Sequence, residues 1–298
     1  MVIVVIRYLK EKGEQMEILC TGSHGLLGTA LCKKLEQLGH SVYKVSHEVL
    51  DSSWDIEFLN EPIDYIIHCA AYGNHSHQKD LRNMVVSNIE MTAQLLEWTR
   101  NIPYKAFINV GSSSEYGRKG SCMREDMVLQ PDTFYAATKA AGTHLARAFA
   151  KQYDKPIITI RPFSIYGPGE AEHRFIPTVI RKLKADEPLE ICDGEHDWIH
   201  VDDVVDAMIK VLPHADKHKG EVFNIGTGEA YTNEFVVKTL DKITGKKANI
   251  IREESMRPWD SGVWCADISK LKSIIGFDWK PRHIITGLKE LVKGGDIL

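Results

Sequence analysis

From Met16 onward the apolar positions of this chain fall into two alternating rhythms. Short, nearly continuous apolar runs, rich in β-branched and aromatic residues, occur at 17–22, 41–46, 64–71, 105–111 and 156–163. Runs of that length with little polar alternation are expected of strands buried on both faces. Between them, at 25–38, 78–100 and 133–153, apolar residues recur at helical spacing. Strands separated by helices imply βαβ units, and therefore an α/β fold with a doubly wound parallel sheet and right-handed crossovers.

After residue 166 the rhythm loosens. Helices are predicted near 174–185, 202–213, 232–245, 267–275 and 283–294, with one further strand at 223–226. The pattern divides the chain into a sheet-building unit over 16–166 and a smaller C-terminal α/β cap over 167–298, some of whose segments return to the sheet. Residues 1–15 open on a short apolar run and stop just before Met16, which begins the first strand. They are expected to be an N-terminal appendage outside the fold, behind an upstream start codon.

Composition narrows the classes. With 43% hydrophobic and 26% charged residues of both signs, the 298-residue chain has ample material for a core. A net charge of −4 speaks against a nucleic-acid partner, which calls for a basic face. No apolar run approaches the ~20 residues that cross a bilayer, so no membrane partner is expected and the cytoplasm is the expected location. The six cysteines are scattered, without CxxC or metal-ligand spacing. They read as buried reduced thiols, and no metal is expected.

Thr21-Gly22-Ser23-His24-Gly25-Leu26-Leu27-Gly28 joins the first strand to the first helix. At that junction glycines allow a tight turn, close approach of a pyrophosphate and close helix–strand packing, while the helix N-terminus offers free N–H groups. The segment therefore predicts dinucleotide binding. At the end of the second strand an acidic residue would bond a ribose 2′-hydroxyl and repel a 2′-phosphate. Here the position is Ser46, followed by His47, and His24 lies in the glycine loop. NADP is favoured, with NAD as the alternative.

Two more segments carry chemistry. Gly111-Ser112-Ser113-Ser114-Glu115-Tyr116-Gly117 follows the fourth strand, and Tyr135 stands four residues before Lys139 in a predicted helix. Residues four apart share a helical face. An ammonium beside a phenol favours the phenolate, which predicts a tyrosine tuned toward neutral pH as general acid/base. A serine hydroxyl facing the pair is suited to hold a carbonyl or alcohol.

In this order the motifs resemble the extended short-chain dehydrogenase/reductase family, the NAD-dependent epimerase/dehydratase group acting on nucleotide sugars. The likeness covers essentially 16–295 and includes DYIIHCAA, SNIEMT with Asn88, RPFSIYGPGE (161–170), DWIHVDDVV (197–205) and FNIGTGE (223–229). It implies a Rossmann-type fold, with Tyr135 as acid/base, Lys139 positioning the cofactor, and Ser112 orienting substrate, Ser113 being the nearest rival. It implies further that Leu26 and Leu27 approach the pyrophosphate, that Ala70 and Ala71 line the adenosine side, and that Pro162 and Phe163 lie beside the nicotinamide. The family habit of pairing through helices near 78–100 and 133–153 implies a homodimer.

The resemblance also frames the reaction. Relatives that remove water carry a glutamate two residues before the YG tyrosine, often beside an aspartate. Here these positions are Ser114 and Ser113, and Glu115 is expected to point elsewhere in an extended segment. Reduction of a 4-keto-6-deoxy sugar nucleotide is the leading expectation and 4-epimerisation the alternative; 4,6-dehydration and a non-catalytic NADP-binding regulator come after. Where relatives grip the substrate diphosphate with arginine before the Asp-aromatic pair, this chain has His196, which lacks the bidentate fork. Phosphate contact then falls to Arg257, Arg174 or Arg181. Trp198 is a candidate for stacking on base or sugar, with packing as its other role, and Ser164 stands where relatives place a substrate-binding asparagine.

Overall fold

The computed structural model describes residues 15–45, 62–75, 77–252 and 262–294. The expected appendage at 1–14, and the candidates Ser46 and Arg257, lie outside them.

In chain order, β1 (Glu17–Thr21), α1 (Leu26–Gln37), β2 (Ser41–Val45) and β3 (Tyr65–His68) open the fold. Next, α2 (Leu81–Val85) runs through a π-helical turn (Val86–Glu90) into α3 (Met91–Thr99). β4 (Ala106–Val110) leads to a 3₁₀ turn (Ser113–Tyr116), then α4 (Phe134–Gln152) and β5 (Ile157–Pro162). The six-stranded sheet has the order β2-β1-β3-β4-β5-β10, all pairs parallel, where β10 (Val222–Ile225) arrives only after part of the cap has been built.

Burial on both faces explains the apolar runs. Along β1, Ile18 and Cys20 pack on one side with Leu31 and Leu35 of α1, while Leu19 faces Leu95 and Leu96 of α3 on the other. Because β1 lies between β2 and β3, its C-terminal end is the point where connections leave in opposite directions, the usual place for a ligand crevice in an open α/β sheet.

Between β5 and β10 come β6 (Ser164–Tyr166), α5 (Phe175–Ala185), β7 (Leu189–Ile191), β8 (Glu195–His196), β9 (Trp198–His200) and α6 (Val201–Val211). β11 (Tyr231–Thr232), α7 (Asn233–Thr244), β12 (Ile250–Arg252), α8 (Ser269–Ile275) and α9 (Ile284–Gly294) follow. The short strands pair as β6-β9, β8-β11 and β7-β12. A second core of Tyr166, Ile180, Trp198, Val236, Leu240 and Leu288 ties this cap together. α6 returns to pack on α1 and belongs to the core of the main sheet.

The cysteine reading needs one correction. Cys122 and Cys265 form a disulfide between residues 143 apart in sequence. Met123 and Ala266 pair as a bridge between their two segments, which sets the neighbouring cysteines side by side. The other four are outside any disulfide, three of them buried.

Candidate active site

The glycine loop is a backbone device. Gly22 has φ +66°, and a Cβ there would lie 2.5 Å from the amide nitrogen of Ala70 at the end of β3. A Cβ on Gly28 would lie 2.2 Å from the carbonyl oxygen of Gly22. Two absent side chains thus let α1, the β1 loop and the β3 loop close on one another. Gly25 caps α1 without a side-chain bond, so the first-turn N–H groups of Leu26, Leu27 and Gly28 have no intrahelical acceptor. Negative phosphate is stabilised there by the helix dipole, so the loop fits a dinucleotide's pyrophosphate. His24 is exposed at the rim, and Ala70 and Ala71 line the same edge.

The catalytic side grows from β4. Ser112 caps the 3₁₀ turn, its Oγ accepting the Ser114 N–H at 3.1 Å. Its hydroxyl also lies next to the Tyr135 phenol, whose pKa it lowers. Tyr135 and Lys139 are fixed by α4, which Thr133 caps at the start. α4 in turn is seated on the π turn: Asn88 donates to Thr138 Oγ1 at 2.9 Å, and a Cβ at Gly142 would lie 2.7 Å from the Asn88 carbonyl. π turns of this kind commonly mark functional sites.

The electrostatics differ from the simple expectation of a phenol lowered by its lysine. Lys139 Nζ donates to the Val110 carbonyl at 2.7 Å, inside the protein. Burial pulls its pKa down, against Glu115 and Cys69, which raise it. The Tyr135 phenol is held above its usual value by burial, against the Ser112 hydrogen bond and the Arg174 guanidinium, which lower it. Desolvation of a group disfavours its charged form, and here it outweighs the attractive charges.

Sequence reasoning missed a layer beneath the site. Glu115 does not extend outward; the 3₁₀ turn directs it into the core, where it is fully buried and pairs with Arg161 of β5 at 2.8 Å. An arginine inside the apolar run PIITIRPF was the available signal, since a buried guanidinium requires a buried anion. His68 is also buried, bonded to Thr21 at 2.7 Å and Thr92 at 3.0 Å, its pKa pushed down to about 3 by burial and by Lys139. Trp264 donates from Nε1 to Ser113 Oγ at 3.0 Å, across 151 residues of sequence.

On the cap side, Arg174 reaches the Asn74 carbonyl at 3.4 Å, bridging cap and sheet near Tyr135. His196 packs against Trp198 and bridges Trp264. Asp197 is wholly buried and accepts from Thr227, Gly228 and Ala266, a structural role that fixes the loop after β10. Two of the predicted contact residues are largely buried. Trp198 is buried and stacks on Phe175 with centroids 5.6 Å apart, and Phe163 is buried beside Tyr116. Arg181 is spoken for by Glu187 at 3.0 Å. Pro162 and Ser164 remain half-buried at the mouth.

The model of the NAD dependent epimerase/dehydratase family matches residues 18–226. The chain belongs to that family. Its relatives include a Bacillus subtilis (strain 168) protein named as an uncharacterized UDP-glucose epimerase, 28% identical over 88% of this chain and 93% of the relative. CDP-abequose synthase of Salmonella typhimurium is 26% identical, covering 93% of this chain and 97% of its own. Among solved structures, the UDP-glucuronic acid 4-epimerase of Bacillus cereus, in complex with UDP-glucuronic acid and NAD, superimposes with a TM-score of 0.81. It is 28% identical, with 93% of this chain and 98% of that one covered. Members of this family are NAD-dependent nucleotide-sugar epimerases, dehydratases and reductases of the extended short-chain type. Among the described residues no helix is long and apolar enough to cross a membrane.

Proposed function

We propose that this family member reduces the 4-keto group of a 4-keto-6-deoxy sugar nucleotide, using NADPH. The observation that carries the reading is the Ser112–Tyr135 contact in a setting of hydroxyls, with Ser113 and Ser114 next to it and the only carboxylate of that turn, Glu115, locked onto Arg161. Eliminating water from adjacent carbons calls for a second acid/base beside the tyrosine. The turn supplies none, whereas moving one proton at one carbonyl needs only Tyr135. The likeness to the dTDP-4-dehydro-6-deoxy-D-allose reductase of Streptomyces bikiniensis, 25% identical over 93% of this chain and 95% of that one, supports a reductase.

In this reading Ser112 holds the C4 oxygen against Tyr135, which donates its phenolic proton to that oxygen as it becomes an alcohol. A bound nicotinamide dinucleotide supplies the hydride. Lys139 braces the ribose side from α4, and Leu26, Leu27 and Gly28 receive the pyrophosphate. Arg174, His196 and Arg257 hold the substrate diphosphate, and Ser164 meets the sugar. The preference for NADPH rests on Ser46 and His47 in place of an acid after β2, and on exposed His24 in the loop. A homodimer paired through the α2–α3 and α4 helices completes the reading.

The 4-epimerase reading stands second, favoured by the likeness to the Bacillus cereus epimerase over nearly the whole of both chains. Net cofactor use separates the two. With a 4-keto-6-deoxy sugar nucleotide, NADPH absorbance falls in proportion to product; interconversion of two 4-hydroxy sugars with no net absorbance change overturns reduction. Tyr135→Phe is expected to lower turnover by roughly 10³-fold while leaving nucleotide affinity within about twofold. Unchanged turnover in that variant rejects the mechanism.

A further inference from the structure

The fully buried carboxylate of Glu115 has three hydrogen-bond partners, and two of them belong to the catalytic apparatus or its supports. Oε1 accepts the Ser112 N–H at 2.8 Å and the Thr143 hydroxyl at 2.9 Å, one helical turn beyond Lys139 on α4. Oε2 accepts Arg161 Nε at 2.8 Å, and that guanidinium lies over the Tyr116 ring at 4.6 Å. Room for the carboxylate exists because residue 111 is glycine: a Cβ there would lie 2.5 Å from Oε1. The residue before it, Val110, carries the carbonyl that receives the Lys139 ammonium. One carboxylate therefore touches the backbone of Ser112, the helix of Tyr135 and Lys139, and the chain segment that binds Lys139.

The arrangement is asymmetric. Arg161 approaches Glu115 from β5 and rests on Tyr116, while Oε1 faces Ser112, Thr143 and Gly111 on the side of α4. Lys139 and Tyr135 on α4 consequently meet the carboxylate before they meet the guanidinium. The other groups facing this space are His68 and Cys69 at the end of β3, and Arg174 at the N-cap of α5. His68 is neutral, and Arg174 acts on Tyr135 from the opposite, cap side.

We infer that Glu115 is a positioning residue that fixes Ser112 and the helix of Tyr135 and Lys139 and sets a buried negative charge beside them, adapting the site to proton donation and hence to the reducing direction. This rests on the reductase reading. The electrostatics agree in direction, since Glu115 raises both Tyr135 and Lys139. A negative charge beside a proton-bearing group makes proton loss harder, and an acid catalyst must keep its proton until the transition state. The same bias opposes a site whose first step is removal of an alcohol proton.

The test is an alkaline ultraviolet difference titration of the protein against its own Tyr135→Phe variant, which isolates the Tyr135 phenolate band. In Glu115→Gln the band is expected to appear roughly 0.5–1 pH unit lower. The alkaline limb of the reductase profile moves down with it. Because that variant strands a buried guanidinium, Glu115→Gln/Arg161→Met is measured alongside; replacing a buried ion pair by neutral groups preserves folding better than breaking it. The double variant should show the band lowered in the same sense. A band at the parent's position in both backgrounds, with turnover reduced equally at every pH, overturns the inference and leaves Glu115 a structural residue. The phenolate titration reads the charge effect without substrate, so its outcome is separate from that of the reductase reading, which fails if Tyr135→Phe retains turnover.

Discussion

The two sides of the active-site crevice are built by different means. The cofactor side is backbone: Gly22 and Gly28 bring three chain segments within contact distance, and the N-terminus of α1 supplies the binding groups. The substrate side is assembled from side chains on segments far apart in sequence, with Trp264 on Ser113, Arg174 on Asn74 and Cys122 bonded to Cys265. A backbone site is fixed once the strand–turn–helix forms. A side-chain site depends on every segment that delivers a residue, so the two sides should fail separately.

The largest expected effect is on the substrate side. The Cys122–Cys265 bond closes a loop across 143 residues and holds the segment carrying Trp264 beside the one after the catalytic turn. Cross-links over loops of that length contribute roughly 2–5 kcal/mol. Cys265→Ser, or treatment with dithiothreitol, is expected to lower the unfolding midpoint and raise KM for the sugar nucleotide, with NADPH affinity unchanged. Equal loss of both affinities would mean that the two sides are not separable.

On the cofactor side the corresponding change is Gly28→Ala. The new methyl meets a backbone carbonyl that has no rotamer to escape into, so α1 must shift away from the loop. Nucleotide affinity should fall roughly 10–100-fold, about 1.5–3 kcal/mol. The sugar nucleotide's affinity, measured by calorimetry without cofactor, should hold.

The same contrast governs how much the sequence revealed. The six strands of the sheet and the eight long helical segments were legible in the apolar rhythm, because period and burial are local properties. So were the glycine loop, Ser112, Tyr135 and Lys139, whose meaning lies in spacing within one or two elements. The short strands β6–β9, β11 and β12 were not, since two- and three-residue strands have no period to read. The Cys122–Cys265 pairing and the Trp264–Ser113 bond stayed hidden for a further reason: each joins positions more than 140 residues apart through a bridge that only the folded cap creates. Glu115 was misread because a 3₁₀ turn reverses the direction that an extended segment would give its side chain.

Glu170 sharpens the comparison through pH. It lies where the chain enters the cap, 3.7 Å from Arg174, with Oε2 buried and without a hydrogen-bond partner among the described residues. Burial, against Arg174, pushes its carboxyl up to about 8. The folded protein then keeps a proton that the unfolded chain releases from about pH 4.5 upward. The contribution is fully present below that value and lost as pH rises through about 8, at up to roughly 1.4 kcal/mol per unit. Unfolding by urea should show this decline in the parent and a flatter curve in Glu170→Gln, which becomes the more stable of the two by roughly 2 kcal/mol near pH 8. Parallel curves would mean that Glu170 is ionised in the folded state.

The smallest effect is the most selective. Trp264→Phe keeps an aromatic ring in the cap segment and removes only the N–H that Ser113 accepts. Without it Ser113 Oγ, buried as it is, loses a partner. A neutral hydrogen bond of this kind contributes about 1 kcal/mol, so KM for the sugar nucleotide should rise roughly fivefold with kcat and NADPH affinity nearly unchanged. A fall in kcat at constant KM would instead assign Ser113 to the transition state, making it, and not Ser112, the hydroxyl that works with Tyr135. The backbone side of the crevice should register neither change, because no hydrogen bond among the described residues joins the glycine loop to Trp264.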